Sequence, residues 1–289
     1  MLIKLDMKNS FSQIIHLVKL QHALFALPFT LSSMFLAAQG FPSTKITILI
    51  IIAFMSARSF GMAMNRLIDK EIDAKNPRTE HRLMASGQLS TKKLVPYLIL
   101  FCALFATSCY YLNPLAFKLV PISLFIMILY PICKKFTVFA HTILGVILAI
   151  APIGAWVAVK NEIEIVPILI GLGILFWVNG FDIIYAIQDE DFDKKNSLYS
   201  IPSKFGKEKS LIIASMLHAI VPVFFYLAGY IQGLGLYFQA TLILISSLLI
   251  YEHILVHKGY QKNISLAFFK LNSSISLLFL SGIICEVFL

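Results

Sequence analysis

Read for hydropathy alone, the chain is a succession of apolar runs. Each is close to the roughly 20 residues that a helix needs to cross a bilayer. Nine such runs stand out, at 22–39, 44–66, 93–112, 115–133, 139–159, 163–188, 209–231, 234–256 and 266–288. Longer polar stretches follow the second and sixth runs, at 67–92 and 189–208, and short gaps separate the others. The pattern predicts an all-α membrane protein: a single bundle of about nine transmembrane helices, with residues 1–289 forming one polytopic domain. Residues 10–21 read as an amphipathic segment lying in the membrane interface.

Composition fits a lipid solvent. The 289 residues are 58% hydrophobic and 13% charged, against about 25% charged in soluble domains. A net charge of +9 would suit nucleic acid if it were clustered on one surface. Here the basic residues sit in the gaps between apolar runs, so no nucleic-acid partner is expected. The gaps on one side carry only Lys45, Lys118 and Lys160. The other side carries the N-terminal lysines, both long loops, Lys134, Lys135, Lys258 and Lys262. By the positive-inside bias, the N-terminus and both long loops are expected in the cytoplasm, which for a bacterial chain means the inner membrane. No small-residue cleavage site follows the first apolar run, so the N-terminus is expected to be retained. The four cysteines form no CxxC pair and imply neither a disulfide framework nor a zinc site.

The chemistry concentrates in the two long loops. After the second run, Asn65, Asp69 and Asp73 recur at i, i+4 and i+8, which places three oxygen-bearing side chains on one helical face. After the sixth, Asp189 and Asp193 repeat the i, i+4 spacing, with Asp182 seven residues earlier on the same face. Asp191 should point elsewhere. Arg58 lies seven residues before Asn65 and mirrors Asp182. Ionisable groups inside spans are costly and mark functional sites. Hard oxygen ligands of this number suit Mg²⁺, which is held by one or two carboxylates together with water and substrate phosphates. Lys70, Lys75, Arg78 and Arg82 lie beside the first motif. A ligand that wants both carboxylates and cations is a magnesium-bound phosphate.

These motifs resemble those of the UbiA superfamily of intramembrane prenyltransferases. The resemblance runs from Arg58 through Asn65-Arg66-Leu67-Ile68-Asp69 to Asn76-Pro77-Arg78-Thr79 and Ser86-Gly87. It continues in Gly180-Phe181-Asp182-Ile183-Ile184-Tyr185-Ala186, then Asp189, Asp193 and Ser200-Ile201-Pro202. His22 and Phe25-Ala26-Leu27-Pro28-Phe29 also fit, whereas Leu83-Met84-Ala85 departs from a Pro-Leu-Pro-like stretch of many members. The similarity points to the branch around 4-hydroxybenzoate polyprenyltransferase. It implies that a polyprenyl diphosphate loses diphosphate and alkylates an aromatic acid beside its phenol oxygen. Asn65, Asp69 and Asp73 would hold one Mg²⁺, and Asp189 and Asp193 a second. Arg78, Lys134 and Lys135 would grip diphosphate oxygens. Arg58 would take the acceptor carboxylate or form a structural salt bridge with Asp182. Asp182 and Tyr185 would orient the acceptor phenol or take its proton.

Two further readings remain open at this stage. The acceptor could be a hydroxynaphthoate of menaquinone synthesis rather than the 4-hydroxybenzoate of ubiquinone synthesis. A transporter with an intramembrane acidic site is the alternative of a different class, although transporters put such groups in broken helices near the midplane. His253 and His257, four residues apart, read as a solvated helix end rather than a metal pair, and Trp177 reads as core packing.

Overall fold

The computed structural model describes residues 13–14, 17–18 and 23–289. The described residues contain helices and no strand. Helix α1 spans Ala23–Ala38, α2 Thr44–Ile68, α3 Lys70–Lys75, α4 Thr91–Leu112, α5 Pro114–Cys133 and α6 Ala140–Lys160. Then come α7 Ile165–Ala186, α8 Glu190–Lys195, α9 Ile201–Gln232, α10 Leu236–Ser265 and α11 Asn272–Phe288. Among the described residues, eight helices are long and apolar enough to cross a membrane, and α1 is a shorter apolar ninth. Of the segment expected to lie in the interface, only four residues are described. Three of them, Ile14, Leu17 and Val18, are buried beside Ala57, Phe60 and Met84. His22 lies outside the described residues.

Local signals fix where the helices start. The Ser43 side chain accepts from the Ile46 N–H, and the Asn113 side chain from the Ala116 N–H at 2.8 Å with Pro114 in the first turn. Each satisfies an amide that the first helical turn leaves without a partner. Helix α9 opens on a reciprocal box in which Ser200 and Ser203 bond each other's backbone. It therefore begins eight residues before the apolar run that announced it. Lys204, Lys207, Glu208 and Lys209 had masked that turn. Gly206, at φ +78°, kinks the helix there. The sixth run is not one helix either: α7 ends at Ala186, and a 3₁₀ turn at Ile187–Asp189 joins it to α8.

Helix α7 is the hub. It packs on α6 and α9, while α2 packs on α4 and α5, and α1 on α6 and α11. The central core gathers Phe29, Trp156, Trp177, Phe225 and Phe279. Gly145 sets the approach of α6 to α7, because a Cβ there would stand 2.7 Å from the Leu175 carbonyl oxygen. Gly145→Val is therefore expected to force the two helices apart, at a cost of about 1–3 kcal/mol for overpacking. Gly154→Ala, where a Cβ meets nothing within 4 Å, should be neutral. Thermal melts of the detergent-extracted protein separate the two. His253 does not end in solvent as expected. It bonds His218 Nδ1 at 3.0 Å inside the bundle. Trp177 packs in the core and donates its indole N–H to Asn272.

Candidate active site

A continuous cavity of about 540 Å³ runs from the ends of α2 and α7 deep into the bundle. One end is ionic and is lined by Asp69, Asp73, Arg78, Lys134, Asp189 and Asp193. The rest is largely apolar and reaches Leu112, Ala116, Val157 and Ile163 near the far ends of the helices. From Ile50 to Asn65 the lining follows α2 over fifteen helical steps, about 22 Å at helical rise.

The first motif stays helical through a change of element. Asp69 closes α2 with its N–H on the Asn65 carbonyl at 3.0 Å, and the Asp73 N–H bonds the Asp69 carbonyl at 2.7 Å. The i, i+4 spacing therefore survives, and Asn65, Asp69 and Asp73 share a face. Asn65 donates to Asp69 Oδ2 at 3.0 Å, and Lys134 from the end of α5 bonds the same oxygen. Asp69 Oδ1 is buried with no protein partner. Burial pushes the Asp69 carboxyl up from its ordinary pKa, against the pull of Lys134. Asp73 is held by Arg82 Nη1 at 2.7 and 2.8 Å, with Arg66 3.8 Å away.

The second motif faces the first across the cavity mouth. Arg78, from the loop after α3, donates Nε to Asp189 Oδ1 at 2.8 Å and Nη2 to Asp189 Oδ2. Its Nη1 donates to the Tyr185 hydroxyl at 3.1 Å. Asn76 adds a bond to Asp189 Oδ1 at 2.9 Å and accepts from the Arg78 N–H. This clamp spans more than a hundred residues of sequence. Burial opposes the Arg78 charge, but the bonds to Asp189 outweigh it and hold its pKa above the ordinary value. Asp193 accepts from the Ser200 hydroxyl at 2.8 Å, which ties the second motif to the cap of α9. Asp191 is exposed, and Glu190 pairs with Lys194 instead.

Two turns deeper, Arg58 and Asp182 both line the cavity, but they do not pair with each other. Asp182 Oδ2 is 2.7 Å from His141 Nδ1. Among the described residues Arg58 makes no hydrogen bond or ion pair, and its Nε is buried without a partner. A salt bridge with Asp182 is thus not what Arg58 is for. Lys135, expected to grip diphosphate, is exposed and stands outside the cavity lining. It follows the C-terminus of α5, where only Lys134 turns inward.

The sequence alone singled out neither Tyr130 nor His141, and it gave no role of their own to Asn76 and Ser200, which stand in the stretches that carry the resemblance. Tyr130 lines the cavity, and its place one helical turn before Lys134 was the available signal. Asn76 and His141 act through contacts 113 and 41 residues away in sequence, and Ser200 through one only seven residues back, to Asp193. Among the described residues no three acidic, histidine or cysteine side chains converge tightly enough to hold an ion alone. The donors still fit magnesium. They are hard oxygens, few per motif, and the orphaned Asp69 Oδ1 lacks a partner, as suits an ion completed by water and phosphate.

Comparison with known proteins follows the same outline. The model of the UbiA prenyltransferase family matches residues 26–274. The 4-hydroxybenzoate octaprenyltransferase of Vesicomyosocius okutanii subsp. Calyptogena okutanii (strain HA) is 29% identical over 258 residues, 89% of this chain and 94% of its own. The solved apo structure of a UbiA homolog from Aeropyrum pernix K1 superposes with a TM-score of 0.84 at 29% identity, over 93% of this chain and 98% of that one. A UbiA homolog from Archaeoglobus fulgidus, solved bound to GPP and Mg²⁺, shares the fold with a TM-score of 0.72 at 20% identity, over 94% and 99% of the two chains.

Proposed function

This chain belongs to the UbiA prenyltransferase family, and on that premise we propose that it transfers a polyprenyl group from a polyprenyl diphosphate to the ring of an aromatic carboxylic acid. We name 4-hydroxybenzoate as the acceptor, in a magnesium-dependent step of ubiquinone synthesis. The observation that carries this reading is the shape of the cavity's chemistry. Four aspartates and their cations crowd one end, and an apolar passage fills the rest. An isoprenoid diphosphate has the same division into an ionic head and a long apolar tail.

Asn65, Asp69 and Asp73 would hold one Mg²⁺, and Asp189 and Asp193 another. A bound divalent ion supplies charge neutralisation to a departing diphosphate. The remaining work falls to the chain's own groups. Arg78 and Lys134 stand at the ionic end, where they can meet diphosphate oxygens, arginine through its planar fork and lysine as a point charge. The apolar walls keep water from the allylic centre. Asp182 and Tyr185 bracket the acceptor phenol. The distribution of basic residues supports a multi-pass protein of the cell inner membrane with this end in the cytoplasm.

Arg58 gives the acceptor its class. A cation lining a mostly apolar cavity without a partner suits an anion that arrives with substrate, and a carboxylate matches its fork. Arg58→Ala is expected to raise the KM for a carboxylated acceptor roughly 10- to 100-fold, the worth of one charge-assisted hydrogen bond. The KM for the diphosphate should hardly move. Equal rises in both would make Arg58 structural. The acceptor itself is tested by offering 4-hydroxybenzoate and a dihydroxynaphthoate side by side to membranes containing the wild-type chain. Product on the benzoate supports the ubiquinone reading. Product on the naphthoate alone moves the same chemistry to menaquinone synthesis.

A further inference from the structure

A second cavity, of about 630 Å³, opens on the outside of the bundle between α9 and α10. The two helices run antiparallel, joined by a tight turn in which Gly233 takes φ +74°. Ser200, which caps α9, bonds Asp193. The start of α9 and the end of α10 therefore lie beside the ionic mouth of the first cavity. The groove follows α10 from Ser246 to Lys258. Eleven helical steps separate Ser246 from His257, about 16 Å at helical rise. One leaflet of a hydrocarbon core about 30 Å thick is about 15 Å deep. The far end of α10, at Leu236, lies another ten steps beyond Ser246, about 15 Å. The groove thus runs from the middle of the membrane to the interface on the mouth side.

Its deep part asks for no polar partner. Ser246 donates to the Leu242 carbonyl at 2.7 Å. Ser215 Oγ lies 2.9 Å from the Leu211 carbonyl and 3.0 Å from His253 Nδ1. His253 Nε2 is 3.0 Å from His218 Nδ1, and His218 Nε2 donates to the Trp177 carbonyl at 3.0 Å. The His218 ring fills a slot that Gly180 leaves on α7, where a Cβ would stand 2.2 Å from the ring. The side-chain polar atoms of the floor are therefore satisfied within the protein, and the floor is anchored to α7. Ala219, Ile250 and Ile254 give the walls an exposed apolar surface. His257 and Lys258 differ. Both are exposed, and among the described residues neither makes a hydrogen bond or an ion pair. Lys204, Lys207 and Lys209 open α9 at the same end, with Glu208 the one acid beside them.

We propose that this groove is a binding site for an anionic phospholipid. One acyl chain lies along the groove, and the phosphate sits at His257 and Lys258. The groove is apolar, one leaflet deep, and carries its unpaired polar side chains only at the interface. A phospholipid has the same division into apolar chain and charged head. Lysine meets a phosphate as a point charge, and basic pockets between spanning helices take anionic head groups. The lipid fills the gap where α9 and α10 part, and so holds both against α7.

Native mass spectrometry of the detergent-extracted protein counts the lipid retained during titration with phosphatidylglycerol, or with phosphatidylcholine of the same acyl chains. One phosphatidylglycerol per protein is expected to be held tightly, and phosphatidylcholine more weakly. Lys258→Ala should weaken phosphatidylglycerol about 5-fold, the worth of one basic residue beside an anionic head. Lys92→Ala, at an exposed lysine outside the groove, should change nothing. Ala219→Phe, which fills the groove from its exposed wall, should displace the lipid. If Ala219→Phe does not fold, Lys258→Glu at its exposed position decides, with a loss larger than that of Lys258→Ala. None of these readouts depends on prenyl transfer. Equal retention of the two lipids, or undiminished retention of phosphatidylglycerol in Lys258→Ala, overturns the proposal. A mass of two protein copies without lipid overturns it as well, by showing that a second copy covers the groove.

Discussion

Asp69→Ala and Asp189→Ala each lower prenyl transfer about 10³-fold or more, in protein that still inserts and folds. The expectation follows from where each carboxylate sits. Asp69 is buried at the end of α2, shares Oδ2 between Asn65 and Lys134, and leaves Oδ1 with no partner. Asp189 lies opposite, in the turn after α7, under the fork of Arg78. Charge neutralisation of a leaving phosphate group contributes several kcal/mol, and each 1.36 kcal/mol is tenfold in rate. Either loss alone should reach this size, because a diphosphate spanning both motifs needs both sides. Each variant also frees a cation at the mouth, Lys134 or Arg78, which water there can solvate. Folding is checked by membrane insertion and thermal melting, and activity by label transferred to acceptor. Near-normal turnover in either variant contradicts the two-motif site.

Arg78→Ala is expected to cost about 10²- to 10³-fold in kcat, the range for removing one preorganised electrostatic contact. Arg78→Lys should recover little of it. The guanidinium makes three directed contacts, two to Asp189 and one to the Tyr185 hydroxyl, and lies over the Tyr185 ring at 5.2 Å. An ammonium can supply the charge but not the planar fork. Loss of Arg78 also weakens the tie between the loop after α3 and the turn after α7, leaving among the described residues the Asn76 bond to Asp189. Steady-state kinetics on the three proteins separates charge from geometry. If lysine restored most of the activity, the directed contacts would count for little.

Much of this was legible in the chain because its two strongest signals are local. Apolar runs of spanning length need no partner to be recognised, and all nine correspond to helices, with α1 the short one. The i, i+4 spacing of Asn65, Asp69 and Asp73 survives the break at Asp69 because the backbone hydrogen bonds continue through it. What stayed hidden depends on tertiary contact. The 3₁₀ turn at Ile187–Asp189 leaves no mark in an alternation already ending in charge. His141 sits at the start of an apolar helix, 41 residues from the aspartate it bonds. Lys134 and Lys135 are indistinguishable by type and position, and only the direction in which α5 ends separates the one on Asp69 from the one in solvent. Arg58 was readable as a buried cation, but its lack of a partner is visible only in three dimensions.

Prenyl transfer in membranes, with a labelled polyprenyl diphosphate and an aromatic acid, tests the central claim most directly when run with and without Mg²⁺. The account predicts label on the aromatic ring only when magnesium is present, and its disappearance in Asp69→Ala and Asp189→Ala. Transfer at the same rate in chelator, or label that never reaches the ring although the wild-type protein is folded, would contradict it.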